Sequence, residues 1–88
     1  MRITLKLYAM LSDHLTSEVD GRRRRGNEMP LDVPNDSTAQ AVIDRFHLPS
    51  KLVHLVLVNG VYIPPQARRG HVLAANDELA IWPPIAGG

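Results

Sequence analysis

The sequence predicts an α+β roll, a small mixed sheet of about four to five strands wrapped on one main helix. Three observations carry this. Apolar segments come in the order strand, short helix, strand, main helix, hairpin, strand. Only one segment holds a helical period over several turns, so one helix must serve the whole sheet. At 88 residues, the chain can bury a single core and no more. We therefore expect one domain over 1–88, with 83–88 as an extended C-terminal tail.

Arg2 to Tyr8 alternates strictly, with Ile3, Leu5 and Leu7 on one side and Thr4, Lys6 and Tyr8 on the other, the pattern of a half-buried strand. Ala9 to Leu15 reads as a short helix, with Met10, Leu11 and Leu15 sharing a face. Thr16 to Glu28 is polar and holds four consecutive arginines, Arg22 to Arg25, between Gly21 and Gly26. It is expected to be a solvated, mobile loop, because adjacent like charges repel and stay in water. Met29 to Val33 is a second short strand, closed by Pro34.

Ser37-Thr38-Ala39-Gln40 fits a capping box with Ser37 as N-cap. Ala39, Val42, Ile43 and Phe46 follow at helical spacing, and Pro49 is expected to stop this main helix. Val53 to Val58 is aliphatic apart from His54 and reads as a central strand. Asn59-Gly60 is a strong two-residue hairpin signal, with Val61-Tyr62-Ile63 returning until Pro64-Pro65. Ala75-Asn76-Asp77 is a turn, and Glu78 to Trp82 is the last strand.

Strand parity assigns Ile3, Leu5, Leu7, Val53, Leu55, Leu57, Leu79 and Ile81 to the face that meets the helix. The opposite face then carries Tyr8, Val56, Val58, Ala80 and Trp82, with Lys6 and His54 among them. An apolar cluster on a face that ought to be wet marks a partner surface.

Composition excludes several function classes. There are no cysteines, so disulfides, thiolate metal sites and thiol nucleophiles are absent. The four histidines, His14, His47, His54 and His71, lack metal-ligand spacing, and no metal is expected. Net charge is +1, and no aromatics neighbour the arginine run, which argues against nucleic acid. No segment is long enough to span a bilayer and the first residues alternate instead of running apolar, so a cytoplasmic protein without membrane contact is expected. With no nucleophile–base pair and no Gly-rich phosphate loop, the chain is not expected to be an enzyme.

The chemistry is expected at the end. Pro83-Pro84-Ile85-Ala86-Gly87-Gly88 follows the last strand directly. The prolines are stiff and extended and are expected to hold the tail clear of the domain. Gly87 and Gly88 lack a Cβ and can enter a channel closed to other residues. An α-carboxyl is ionised at neutral pH and can attack an activated phosphate.

Val58-Asn59-Gly60, Asn76-Asp77-Glu78 and the Gly-Gly tail resemble the ubiquitin-like sulfur carriers of the MoaD/ThiS family, most of all the small subunit of molybdopterin synthase (MoaD-like). Asn76 stands where that family usually has glycine, a mild change because Asn tolerates a left-handed backbone. The resemblance implies a β-grasp, ubiquitin-like fold and a protein co-substrate. It implies that the Gly88 carboxylate is adenylated, then converted to a thiocarboxylate, with Gly87 giving clearance. ATP would be used by a partner, an E1-like adenylating enzyme of the MoeB or ThiF type, and no cofactor would be bound by the chain. A sulfur donor protein would supply sulfur, and the acceptor would be a second protein such as the MoaE-type large subunit in molybdenum cofactor biosynthesis. Thiamine, sulfur amino acid and tRNA thiolation pathways remain open, as does a ubiquitin-like modifier joined to lysines through Gly88. A non-catalytic β-grasp module binding RNA or another anion through the arginine loop is the alternative of a different class, and it has no use for a Gly-Gly end.

Overall fold

The structure is a computed structural model and describes residues 1–19 and 21–84. Its main sheet has five strands, in the order β4-β1-β7-β5-β6. These are β1 (Arg2–Leu7), β4 (Glu28–Asp32), β5 (Leu55–Val58), β6 (Val61–Tyr62) and β7 (Glu78–Trp82). The remaining pair, β2 (Glu18–Val19) and β3 (Arg22–Arg23), forms a separate two-stranded hairpin. β1 and β7 run parallel at the centre and every other pairing is antiparallel. This is the β-grasp arrangement.

The core lies between one face of the sheet and α1 (Ala39–Arg45). Ile3, Leu5, Leu7, Met29, Leu31, Leu79 and Ile81 project into it from the sheet, and Ala39, Val42 and Ile43 from the helix. Leu11 and Leu15 close one end, and Leu48, Ile63 and Leu73 close the others. Pro30 sits in β4, which is tolerable only because β4 is an edge strand.

Three local expectations are corrected. The segment after β1 is a 3-10 helix (Ala9–His14), and Met10 points to solvent while Leu11 and Leu15 are buried. Ala9 takes a positive φ of 51° at its start, which rotates Met10 out of register with the other two. The N-cap of α1 is Thr38, not Ser37: the Thr38 hydroxyl accepts from the Ala41 N–H at 3.1 Å. No capping box is needed, because the Ala39 and Gln40 N–H groups donate to the carbonyls of His71 and Arg68. Gln40 instead donates to Asp44 one turn on. The helix also ends before Pro49, at Phe46 followed by His47 with a φ of 53°.

The arginine segment, expected as a loop, contributes a strand to a hairpin. Its hairpin is tied to β4 by paired backbone hydrogen bonds between Arg25 and Glu28. The Arg24 guanidinium donates to the carbonyls of Gly26, Ser12 and Leu15 at 2.7, 3.2 and 2.8 Å. A fork with five donors can satisfy three carbonyls together, so Arg24 pins the hairpin to the end of the 3-10 helix. Among the described residues, no helix is long and apolar enough to cross a membrane, and no cluster of three or more potential metal ligands occurs.

Candidate functional site

β7 is the strand that delivers the tail, and each of its ends is held by a different device. At its start, the Asn59-Gly60 turn meets the Asn76-Asp77 turn. Both central residues of the hairpin have positive φ, 51° at Asn59 and 82° at Gly60, as a primed turn requires. Asn76 is left-handed too, at 71°. The Asn59 amide donates to Asp77 at 2.8 Å, and the Asn59 amide oxygen accepts from the Glu78 N–H at 2.9 Å. Asp77 also caps its own turn by accepting from the Ala74 N–H. The motif residues of the two turns, far apart in sequence, therefore form one clamp that fixes where β7 begins.

At its other end, Trp82 stacks on Tyr8 with ring centroids 4.0 Å apart and planes within 8°. The Tyr8 N–H donates to the Ile81 carbonyl, and the His54 N–H to the Trp82 carbonyl. Both neighbours of β7 thus hold its last residues. Pro83 is buried against the domain and Pro84 is exposed. Burial of the Pro83 ring keeps the chain on the domain for one residue beyond the strand, and the expectation that the two prolines hold the tail clear falls on residues outside those described. Ile85, Ala86, Gly87 and Gly88, where the sequence places the expected reacting end, lie outside the described residues.

The outer face follows from the pairing register. One row crosses all five strands as Glu28, Lys6, Ala80, Leu57 and Tyr62, and the next pairs Trp82 with Leu55. Lys6 bridges Glu28 and Glu78, each at 3.1 Å. Hydrogen bonding to Glu28 first, then to Glu78, raises the Lys6 pKa above its ordinary value. The face is therefore polar over β4 and β1 and apolar over β7, β5 and β6, with Leu55 39% and Tyr62 48% exposed.

Tyr8, Ala80 and Trp82 lie on this outer face as parity predicts. Ala80 is only 4% exposed but lies outside the core cluster, so it forms the floor of the face. Val56 and Val58 do not belong here. They are 0% and 5% exposed and project into the core, whereas Leu55 and Leu57 take the outer positions. The reason is local. Val53 is buried and looks like the first strand position, yet its own φ of −91° and ψ of 88° close the preceding 3-10 turn, and the strand begins only at Leu55. The alternation counted from Val53 is thus one step out of phase. The β7 pairing, Leu57 with Ala80 and Val58 with Leu79, carries the correct phase. Arg68 was also missed. It is 5% exposed and donates to the Ile63 and His54 carbonyls; no sequence pattern distinguishes it from its solvated neighbour Arg69.

Comparisons with known proteins accord with this geometry. The model of the ThiS family matches residues 18–88. No curated protein matches the chain. Among solved structures, SAMP1 from Haloferax volcanii is 27% identical over the whole of both chains, with a TM-score of 0.64. A crystal structure of the H. volcanii small archaeal modifier protein 1 is 28% identical, covering 96% of this chain and 98% of that one, with a TM-score of 0.61. The solution structure of the H. volcanii HVO 2177 protein shares the fold at 22% identity and a TM-score of 0.72, covering 100% of this chain and 87% of that one.

Proposed function

The chain belongs to the ThiS family, and on that premise we propose that it is a sulfur carrier loaded at the carboxyl group of Gly88. The observation that carries this reading is the reach of the family match through residue 88, so that Gly87-Gly88 falls within the matched segment. Small ubiquitin-like carriers are in general protein substrates and not catalysts, and they work with E1-like activating enzymes.

A Gly88 carboxylate oxygen attacks the α-phosphorus of ATP on the activating enzyme, and pyrophosphate leaves. A persulfide sulfur from a donor protein attacks the carbonyl carbon of the acyl adenylate, and AMP leaves. A second thiol then cleaves the S–S bond, becoming a disulfide and freeing the thiocarboxylate. This chain supplies presentation: β7, clamped at Asn59–Asp77 and braced at Tyr8–Trp82, aims the tail. Tyr8, Trp82, Leu55 and Leu57 form the surface that meets the protein receiving it. The proposed acceptor is a molybdopterin precursor held by a MoaE-type large subunit.

Intact mass after incubation with a ThiF-type enzyme, ATP and a sulfur donor tests the reading. One oxygen should be exchanged for sulfur, and removing Gly88 should abolish the exchange while circular dichroism stays unchanged. No exchange with an enzyme proven active on its own carrier overturns it. A second reading is favoured by the likeness to a small archaeal modifier protein: a lysine amine attacks the same acyl adenylate, AMP leaves, and an isopeptide forms. Conjugates that survive reducing agent, with Gly88 bonded to lysine, would identify this outcome.

A further inference from the structure

A concavity opens beside the β4 edge. It encloses about 480 Å³ between the arginine hairpin and the outer face, with Arg2, Arg22, Arg23 and Arg25 in its wall and Thr4 and Pro30 among its lining. Its charges are unevenly settled. Arg22 is held by Asp32 at 3.3 Å, and Glu28 by Lys6 at 3.1 Å. Arg2, Arg23 and Arg25 have no side-chain partner among the described residues. Three guanidinium groups thus line one groove, and the carboxylate in its wall, Glu28, is paired with Lys6.

We propose that this groove docks an acidic segment of a partner protein, a run of carboxylates held by Arg2, Arg23 and Arg25. Guanidinium forks pair with carboxylates in bidentate fashion. The groove has no aromatic side chain on which a base could stack, which sets nucleic acid aside. Addition of a strand to β4 is not the mode either. Outward from the sheet, Glu28 already bonds Arg25, and Pro30, on the same edge two residues on, has no N–H to give. Recognition therefore runs through side-chain charge, at residues other than those of the Tyr8–Trp82 stack.

The test uses the whole chain and a labelled octapeptide alternating glutamate with serine, followed by fluorescence anisotropy and amide chemical shifts. At low ionic strength the peptide should bind, with shifts confined to residues 2–4, 21–25 and 28–30. Replacing Arg23 and Arg25 together with serine should weaken binding about tenfold, and Arg2→Ser alone should weaken it less; all three are solvated, so folding is kept. Added salt should weaken binding in the parent far more than in the double variant. Absence of binding, shifts elsewhere, or affinity indifferent to the substitutions overturns the proposal. So does an octauridylate RNA that outcompetes the peptide in the groove.

Discussion

The outer face of the sheet holds two surfaces of opposite character. Over β7 and β5 it is apolar, with Trp82, Tyr8 and Leu55 grouped where the tail departs. Beyond β1 it turns basic, with Arg2, Arg23 and Arg25 around a groove. Between them stands Lys6, joined by ion pairs to Glu28 in the wall of the groove and to Glu78 on β7, a polar divide. The difference is one of physics. Apolar contact acts at short range and ignores salt, so the first surface suits holding a partner against the tail. Charge acts over roughly 8–10 Å at physiological salt and suits catching a partner and orienting it.

The face assignment underlying this contrast can be broken at two adjacent residues. Val56→Ala should cost about 2 kcal/mol of stability, measured by denaturant unfolding, because it empties core volume. Leu57→Ala, one residue on, should cost under about 1 kcal/mol and act on partner affinity instead. Equal losses would put both residues in the core and remove Leu57 from the docking surface. Trp82→Ala should weaken binding to an activating or acceptor protein by about 2 kcal/mol with little change in its salt dependence. A steep salt dependence confined to the parent would show that the apolar end works through charge after all.

Within the arginine run, Arg24 and Arg23 separate structure from surface. Arg24→Ser should cost about 1.5 kcal/mol, since three carbonyls lose a charged donor. Arg23→Ser should stay within about 0.5 kcal/mol. The smallest effect concerns the divide. The Lys6 pKa is raised, so its contribution to stability is complete below the unfolded value of about 10.4 and is lost as pH climbs through the folded value. Between pH 6 and 9, stability should therefore not respond to this group, and Lys6→Met should flatten only the alkaline limb of the profile.

Local chemistry was legible wherever a residue is forced by its own backbone. Asn59-Gly60 and Asn76 take the left-handed angles that few other residues accept, and β7 carries its own phase because Glu78 is polar and Ala80 is small between Leu79 and Ile81. The order of elements and the single helix with Ala39, Val42 and Ile43 inward pointed to the α+β roll in the same way. Leu55-Val56-Leu57-Val58 offers no such contrast. All four residues are apolar, so either phase satisfies the pattern, and only pairing with β7 chose Val56 and Val58 for the core.

The cap on α1 was likewise decided from outside. Carbonyls of Arg68 and His71, some thirty residues further along the chain, satisfy the first N–H groups, and a local motif cannot register a donor's partner arriving from elsewhere. The arginine run shows the same limit. By itself it reads as four equivalent charges, but three carbonyls took Arg24 into the structure and Asp32 engaged Arg22, leaving Arg23 and Arg25 to the groove. Sequence by itself determined the order of the main strands and the single helix between them. Tertiary structure decided which face each apolar residue took and which charges were left over, because both depend on neighbours that only folding brings into contact.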